Sequence, residues 1–211
     1  MRRLAVSLII IALVLCAIDY LAKDYVAGRV EVQLQRGLDI PRRPEVAIDS
    51  FPFLLAVLRG RVDALELQAS AITVDRIPFT QVRVALEEVT FAAGDILSGK
   101  ARSVSAQSGN GNARLTGAAL QRIVARQSSD LVVRVRGDTV TLSTSENPQP
   151  IAAEVSLQNK ALVITATAGL EEIVIPLPEI TSGLVYRNVT VADSAIALGF
   201  RLERPRLKLA L

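Results

Sequence analysis

Leu65-Glu66-Leu67-Gln68-Ala69-Ser70-Ala71 and, a turn later, Val82-Arg83-Val84-Ala85-Leu86 decide the fold class. Apolar and polar residues alternate in both pieces. A period of two sends successive side chains to opposite faces of an extended chain, so each piece reads as a strand with one dry and one wet face. Such strands belong to antiparallel sheets covered on one side only. Val89 and Phe91 continue the alternation after a slip of one residue, which predicts a β-bulge between Leu86 and Val89.

Toward the C-terminus the same period recurs. Val133 and Val135 face Val140 and Leu142 across Gly137-Asp138, and Val155 and Leu157 face Leu162 and Ile164 across Asn159-Lys160. Both turn pairs tolerate positive φ, so two hairpins are predicted. Val104 and Ala106 begin a weak strand and Ala113–Thr116 another, while the glycine-rich Ser108-Gly109-Asn110-Gly111-Asn112 reads as a loop. Thr116 is a helix N-cap for a segment in which Leu120, Ile123 and Val124 share a face up to about Gln127. Ile173–Pro178 is an apolar edge segment, and Val189 and Val191 lead to Ala195, Ala197 and Gly199 or, on the other face, to Ile196, Leu198, Phe200 and Leu202.

Toward the N-terminus, Pro52 between Phe51 and Phe53 forbids a regular central strand, and Leu54–Leu58 predicts a helical turn ended by Gly60. Residues 19–38 read as a helix from the recurrence of Ile18, Leu21, Tyr25, Val30, Leu34 and Leu38, with Gly37 near its end. Ahead of it, Arg2-Arg3 precedes an uncharged run of fifteen residues, Leu4–Ile18. Basic residues before an apolar run form an export signal or signal anchor. Tyr25-Val26-Ala27 is a poor cleavage site and Leu15 before Cys16 does not suit lipidation, so an uncleaved anchor is expected. The positive-inside rule then puts the body outside the inner membrane. The expected division is a signal anchor or signal peptide over 1–22 and an α+β body over 23–211.

Composition narrows the chemistry. The 211 residues include no histidine, no tryptophan and one cysteine, at a net charge of +3. A histidine-based triad, a His/Cys zinc site and an internal disulfide are excluded or nearly so. With aromatics at 4%, base stacking has little to work with, so no nucleic-acid partner is expected. Glu87-Glu88 and Glu171-Glu172 are adjacent in sequence and do not converge on a strand. No P-loop or nucleophile elbow is present. The reading is non-catalytic, with no cofactor and no metal. The C-terminal Arg201, Arg204, Arg206 and Lys208, interspersed with Leu202, Leu207, Leu209 and Leu211, read as a final edge strand or a contact for anionic head groups.

Few helices are available to cover the dry face of so much sheet. Either the sheet curls around them or it leaves an apolar groove. Asp49-Ser50-Phe51-Pro52-Phe53-Leu54, with Gly60-Arg61-Val62 and Leu65-Glu66-Leu67 after it, resembles the LmeA-like phospholipid-binding family of bacterial envelope proteins. Members typically carry an N-terminal membrane segment, a helix, and a Gly-Phe-Pro-Phe-Leu-like segment; Ser50 stands here where glycine is usual. Leu115-Thr116 leading into a helix with Leu120, then hairpins, extends the resemblance over roughly residues 19–203. It implies phospholipid binding and a long curved antiparallel sheet wrapped on an N-terminal helix, akin to tubular lipid-binding (TULIP-like) domains. By that resemblance the groove residues are Leu34, Leu38, Phe51, Phe53, Leu54, Leu65, Leu67, Val82, Val84 and Leu86. Arg42, Arg43, Arg59 and Arg61 are head-group candidates. The partners expected are a phospholipid or related amphiphile and the membrane. A structural or assembly protein of the envelope, with no lipid in the fold, is the alternative reading.

Overall fold

The computed structural model describes residues 2–37, 40–94, 103–145, 148–167 and 172–208. One helix, α1 (Arg2–Gly37), runs unbroken across the expected boundary at residue 22. Its part from Ile9 to Leu21 is exposed on nearly every side, with Asp19 the buried exception. Ala22, Val26, Ala27, Val30 and Leu34 then pack against the core. Among the described residues no helix is long and apolar enough to cross a membrane. α1 meets the sheet at strand β1 (Glu45–Asp49) and also touches the short helix α2 (Phe53–Leu58).

The body is α+β. The larger sheet curls into a half-barrel of β1, β2 (Arg61–Val74), β3 (Ile77–Phe91), β5 (Ser108–Thr116), β12 (Ala195–Glu203) and β11 (Leu184–Ala192), in that order. Strands β4 (Ser103–Ser105) and β13 (Arg206–Lys208) pair with each other, and β4 also with β3. A second sheet has the order β10-β9-β8-β7-β6: Ile173–Pro176, Ala161–Ala166, Ile151–Gln158, Thr139–Thr144 and Leu131–Arg136. Helix α3 (Gly117–Gln127) joins β5 to β6 and packs on β6, β3 and β5. Every recorded pairing is antiparallel, as expected from the alternation of polar and apolar residues.

The local signals hold. Val133 pairs with Leu142 and Val135 with Val140, turning at Gly137 with φ 58°. Val155 pairs with Ile164 and Leu157 with Leu162, with Asn159 and Lys160 both at positive φ. Thr116 Oγ1 accepts from the Ala119 N–H at 3.4 Å, and Leu120, Ile123 and Val124 are buried.

Two expectations fail. The slip between Leu86 and Val89 is not a bulge in the β2–β3 pair: Leu65 faces Leu86 and Val62 faces Val89, so neither strand gains a residue on the other. Both strands change phase together, with Glu88 at φ 51°. They do so again near Ala71, at φ 57°, which is exposed rather than on the dry face. A paired switch preserves register while bending the sheet. The glycine-rich segment is not a loop but the first half of β5. Its glycines sit where side chains from neighbouring strands lie across the backbone. A Cβ on Gly109 would meet Leu86 Cδ2 at 2.7 Å, and one on Gly111 would run into the Phe200 ring.

Candidate functional site

Register places the candidate strand residues on one face. Val46, Leu67, Val84, Gly111, Phe200 and Tyr186 are successive partners across six strands. Beside that row runs Ile48, Leu65, Leu86, Gly109, Leu202 and Leu184, and on its other side Ala69, Val82, Ala113, Leu198 and Val189. Leu65, Leu67, Val82, Val84 and Leu86 therefore share the dry face of β2 and β3, in three adjoining rows. Their residue types follow from that geometry, since a half-buried pleated surface favours branched apolar side chains.

The face is covered at both ends and less so in the middle. At the α2 end Val62 and Val89 are 3% and 1% exposed. At the β2–β3 hairpin end, where the Arg126 guanidinium of α3 donates to the Arg76 carbonyl, Phe79 and Leu115 are 3% and 1% exposed. Between them Leu65, Leu67, Val82 and Val84 are only half-buried. Leu86, in the row nearest α2, is 4% exposed. A cavity of about 480 Å³ opens beside Glu31 of α1, and the row Val46, Leu67, Val84 and Gly111 crosses it. The rest of its sheet lining, Glu45, Ala47, Glu66, Gln68, Arg83, Ala85, Asn110 and Asn112, belongs to the two flanking rows of the wet face, so it is not an apolar groove of the dry face.

Glu31 ties the helix to the sheet at that cavity. One carboxylate oxygen accepts from the Val46 N–H at 3.1 Å; the other meets Arg43 Nε at 2.8 Å. Arg43 also donates to the Gly28 carbonyl at 2.9 Å. Together these bonds hold the start of β1 against α1 and occupy the β1 edge amide, which would otherwise lack a partner. Across the same row, the Tyr186 ring meets the Phe200 ring edge-on at 6.1 Å, and its hydroxyl donates to the Pro178 carbonyl at 2.8 Å. Burial pushes the Tyr186 hydroxyl up to about 12, with a further push from Asp75.

The other candidates are divided. Leu34 is half-buried on α1 and packs against the core; Leu38 lies outside the described residues. Phe51 and Phe53 part company. Phe53 is 1% exposed and plugs the core, whereas Phe51 is 74% exposed. Leu54 follows Phe51 outward. Phe53 begins α2 and Phe51 stops just short of it, so the two rings do not share one environment. The arginines also separate. Arg43 sits near the cavity with Arg42, whereas Arg61 lies seven positions along β2 from the Gln68–Glu45 pair, roughly 23 Å away at strand spacing. Arg61 is paired with Glu88 at 3.1 Å; Arg42 and Arg59 are exposed and form no ion pair among the described residues.

Asp19 carries a role that the sequence did not signal beyond its interruption of an apolar run. It is 7% exposed, and its two oxygens accept the Phe53 and Leu54 N–H groups, both at 2.8 Å. These are the first two amides of α2, whose N-cap, Pro52, offers no side-chain acceptor. Gly109 and Gly111 were also missed. Their alternation with Asn110 and Asn112 was the available signal, since period two with the smallest residue inward is a strand pattern.

A family model described as LmeA-like phospholipid-binding matches residues 18–204. No curated protein and no solved structure matches the chain.

Proposed function

Because the chain belongs to the LmeA-like phospholipid-binding family, we propose that the middle of its curled sheet receives the acyl chains of a phospholipid, without catalysis. The observation that carries this is the half-buried set Leu65, Leu67, Val82 and Val84 on the dry face of β2 and β3. Each acyl CH₂ buried against that face contributes about 0.8 kcal/mol. A curled sheet with an apolar interior also suits a tubular lipid-binding domain. Arg42, exposed beside the cavity end of β1, is the head-group candidate this reading favours; Arg43 is committed to Glu31. Arg59, at the C-cap of α2, and Arg61, at the start of β2, lie too far from the β1 start to serve the same head group.

In this reading the N-terminal part of α1 holds the protein to the inner membrane, with Arg2 and Arg3 on the cytoplasmic side and the body in the periplasm or outside the cell. The proposed division is an anchor over residues 1–22 and a lipid-binding body over 23–211, joined by one continuous helix.

The test crowds that face. Leu67→Trp and Val84→Trp in the full chain should each lower the phospholipid retained per protein after detergent purification, read by mass spectrometry. A folded variant with wild-type lipid content would reject the site.

A further inference from the structure

The apolar run ahead of Asp19 is short. Fifteen residues, Leu4–Ile18, span about 22 Å as a helix, against roughly 30 Å of bilayer hydrocarbon. What stands beside its C-terminal end is therefore informative. Asp19, the charge that ends the run, is turned inward, and both its oxygens are taken by α2 amides. Around it the surface stays apolar. Ile18, Tyr20, Leu21 and Tyr25 on α1 are 48%, 67%, 66% and 63% exposed. On α2 and just before it, Phe51, Leu54, Leu55 and Leu58 are 74%, 42%, 41% and 70% exposed. Two neighbouring elements thus present an apolar surface that nothing among the described residues covers, larger than the scattered exposed leucines of an ordinary surface.

Polar groups that suit a membrane interface border this surface. Arg59 follows Leu58 and is exposed. One turn beyond Tyr25, the Arg29 guanidinium lies 5.4 Å from the Tyr25 ring and donates to its hydroxyl at 2.8 Å. Tyrosine and arginine side chains with apolar stems and polar tips are favoured at head-group depth.

We propose that α2 is a second membrane contact. It lies in the outer-leaflet interface of a phospholipid bilayer beside α1, clasped there by Asp19, so that Phe51, Leu54, Leu55 and Leu58 complete the apolar band that α1 alone leaves about 8 Å short. The partner is a lipid surface. The proposal rests on the reading of α1 as the membrane segment; the part played by α2 goes beyond it. A consequence is orientation, since a body held at two points sits on the membrane at a fixed tilt rather than swinging from one helix.

The chain has no tryptophan, so a single introduced indole is a clean reporter. Full-length Leu13→Trp, Leu58→Trp and Ile180→Trp would be reconstituted into phosphatidylcholine–phosphatidylglycerol vesicles carrying brominated acyl chains. The expected result is quenching at 13 and 58, strongest at 58 for bromines near the carbonyl end of the chain, and none at 180, which is exposed but remote in sequence from both helices. Quenching at 13 with none at 58 would overturn the α2 contact and leave the anchor intact. No quenching at either position would overturn both. The same Leu58→Trp protein in bilayer-free detergent, loaded with brominated lipid, should be unquenched. Quenching there would assign the contact to bound lipid and overturn the proposal.

Discussion

Replacing Asp19 with alanine removes both acceptors from the start of α2 in one step. The Phe53 N–H sits in the core, where a stranded donor costs about 1–3 kcal/mol. The Leu54 N–H is only partly buried, so water can take over and the loss is nearer the ~0.5–1.5 kcal/mol of an ordinary net hydrogen bond. No side chain at the N-cap substitutes for them, because the residue there is Pro52. The sum is about 2–4 kcal/mol. In a chain of this length each kcal/mol shifts the midpoint by roughly 2–4 °C, so a drop on the order of 5–15 °C is expected. The assay is a thermal melt by circular dichroism of the full chain in detergent. Asp24→Ala is the control. Asp24 is exposed on the same helix and makes no recorded hydrogen bond or ion pair among the described residues, so its loss should cost under about 0.5 kcal/mol. A melt for Asp19→Ala within a degree of the Asp24→Ala melt would refute the clasp.

Gly111→Ala drives a Cβ into the Phe200 ring and to 2.7 Å from the Arg83 carbonyl oxygen, so the denaturant midpoint should fall by the equivalent of about 1–3 kcal/mol; an unchanged midpoint would mean the ring is not seated over the glycine. Thr116→Ala removes the α3 cap and should cost about 1 kcal/mol in the same assay, while Thr116→Ser should keep most of it. For Tyr186 the sign follows from its raised value. The folded chain keeps the phenolic proton up to about pH 12, whereas an unfolded chain releases it near 10.0. The associated stability is full below pH 10 and is lost as pH rises toward 12. With the ring partly exposed, the effect is on the order of 1–2 kcal/mol. Tyr186→Phe should flatten the decline of stability between pH 10 and 12; an equally steep decline would reject the assignment.

The sequence by itself determined what nearest neighbours decide. The two hairpins were legible because Gly137-Asp138 and Asn159-Lys160 supply positive φ between alternating residues, and the turn alone sets the register of a short pair. The α3 cap was legible for the same reason: Thr116 and the amide it receives are three residues apart. So was the shared face of Leu65, Leu67, Val82, Val84 and Leu86, which period two enforces. Tertiary structure decided whatever depended on a distant partner. Gly109 and Gly111 look like a loop until Leu86, Leu202 and Phe200 are laid across them. Asp19 looks like the end of an apolar run until α2, 34 residues away, offers it two amides. Phe51 and Phe53 look equivalent until α2 starts between them and sends one ring to the core and the other to the surface. Local chemistry fixes turns and caps at short range. Long-range packing chooses among conformations that the local sequence leaves nearly equal in free energy, and only the assembled core supplies that bias.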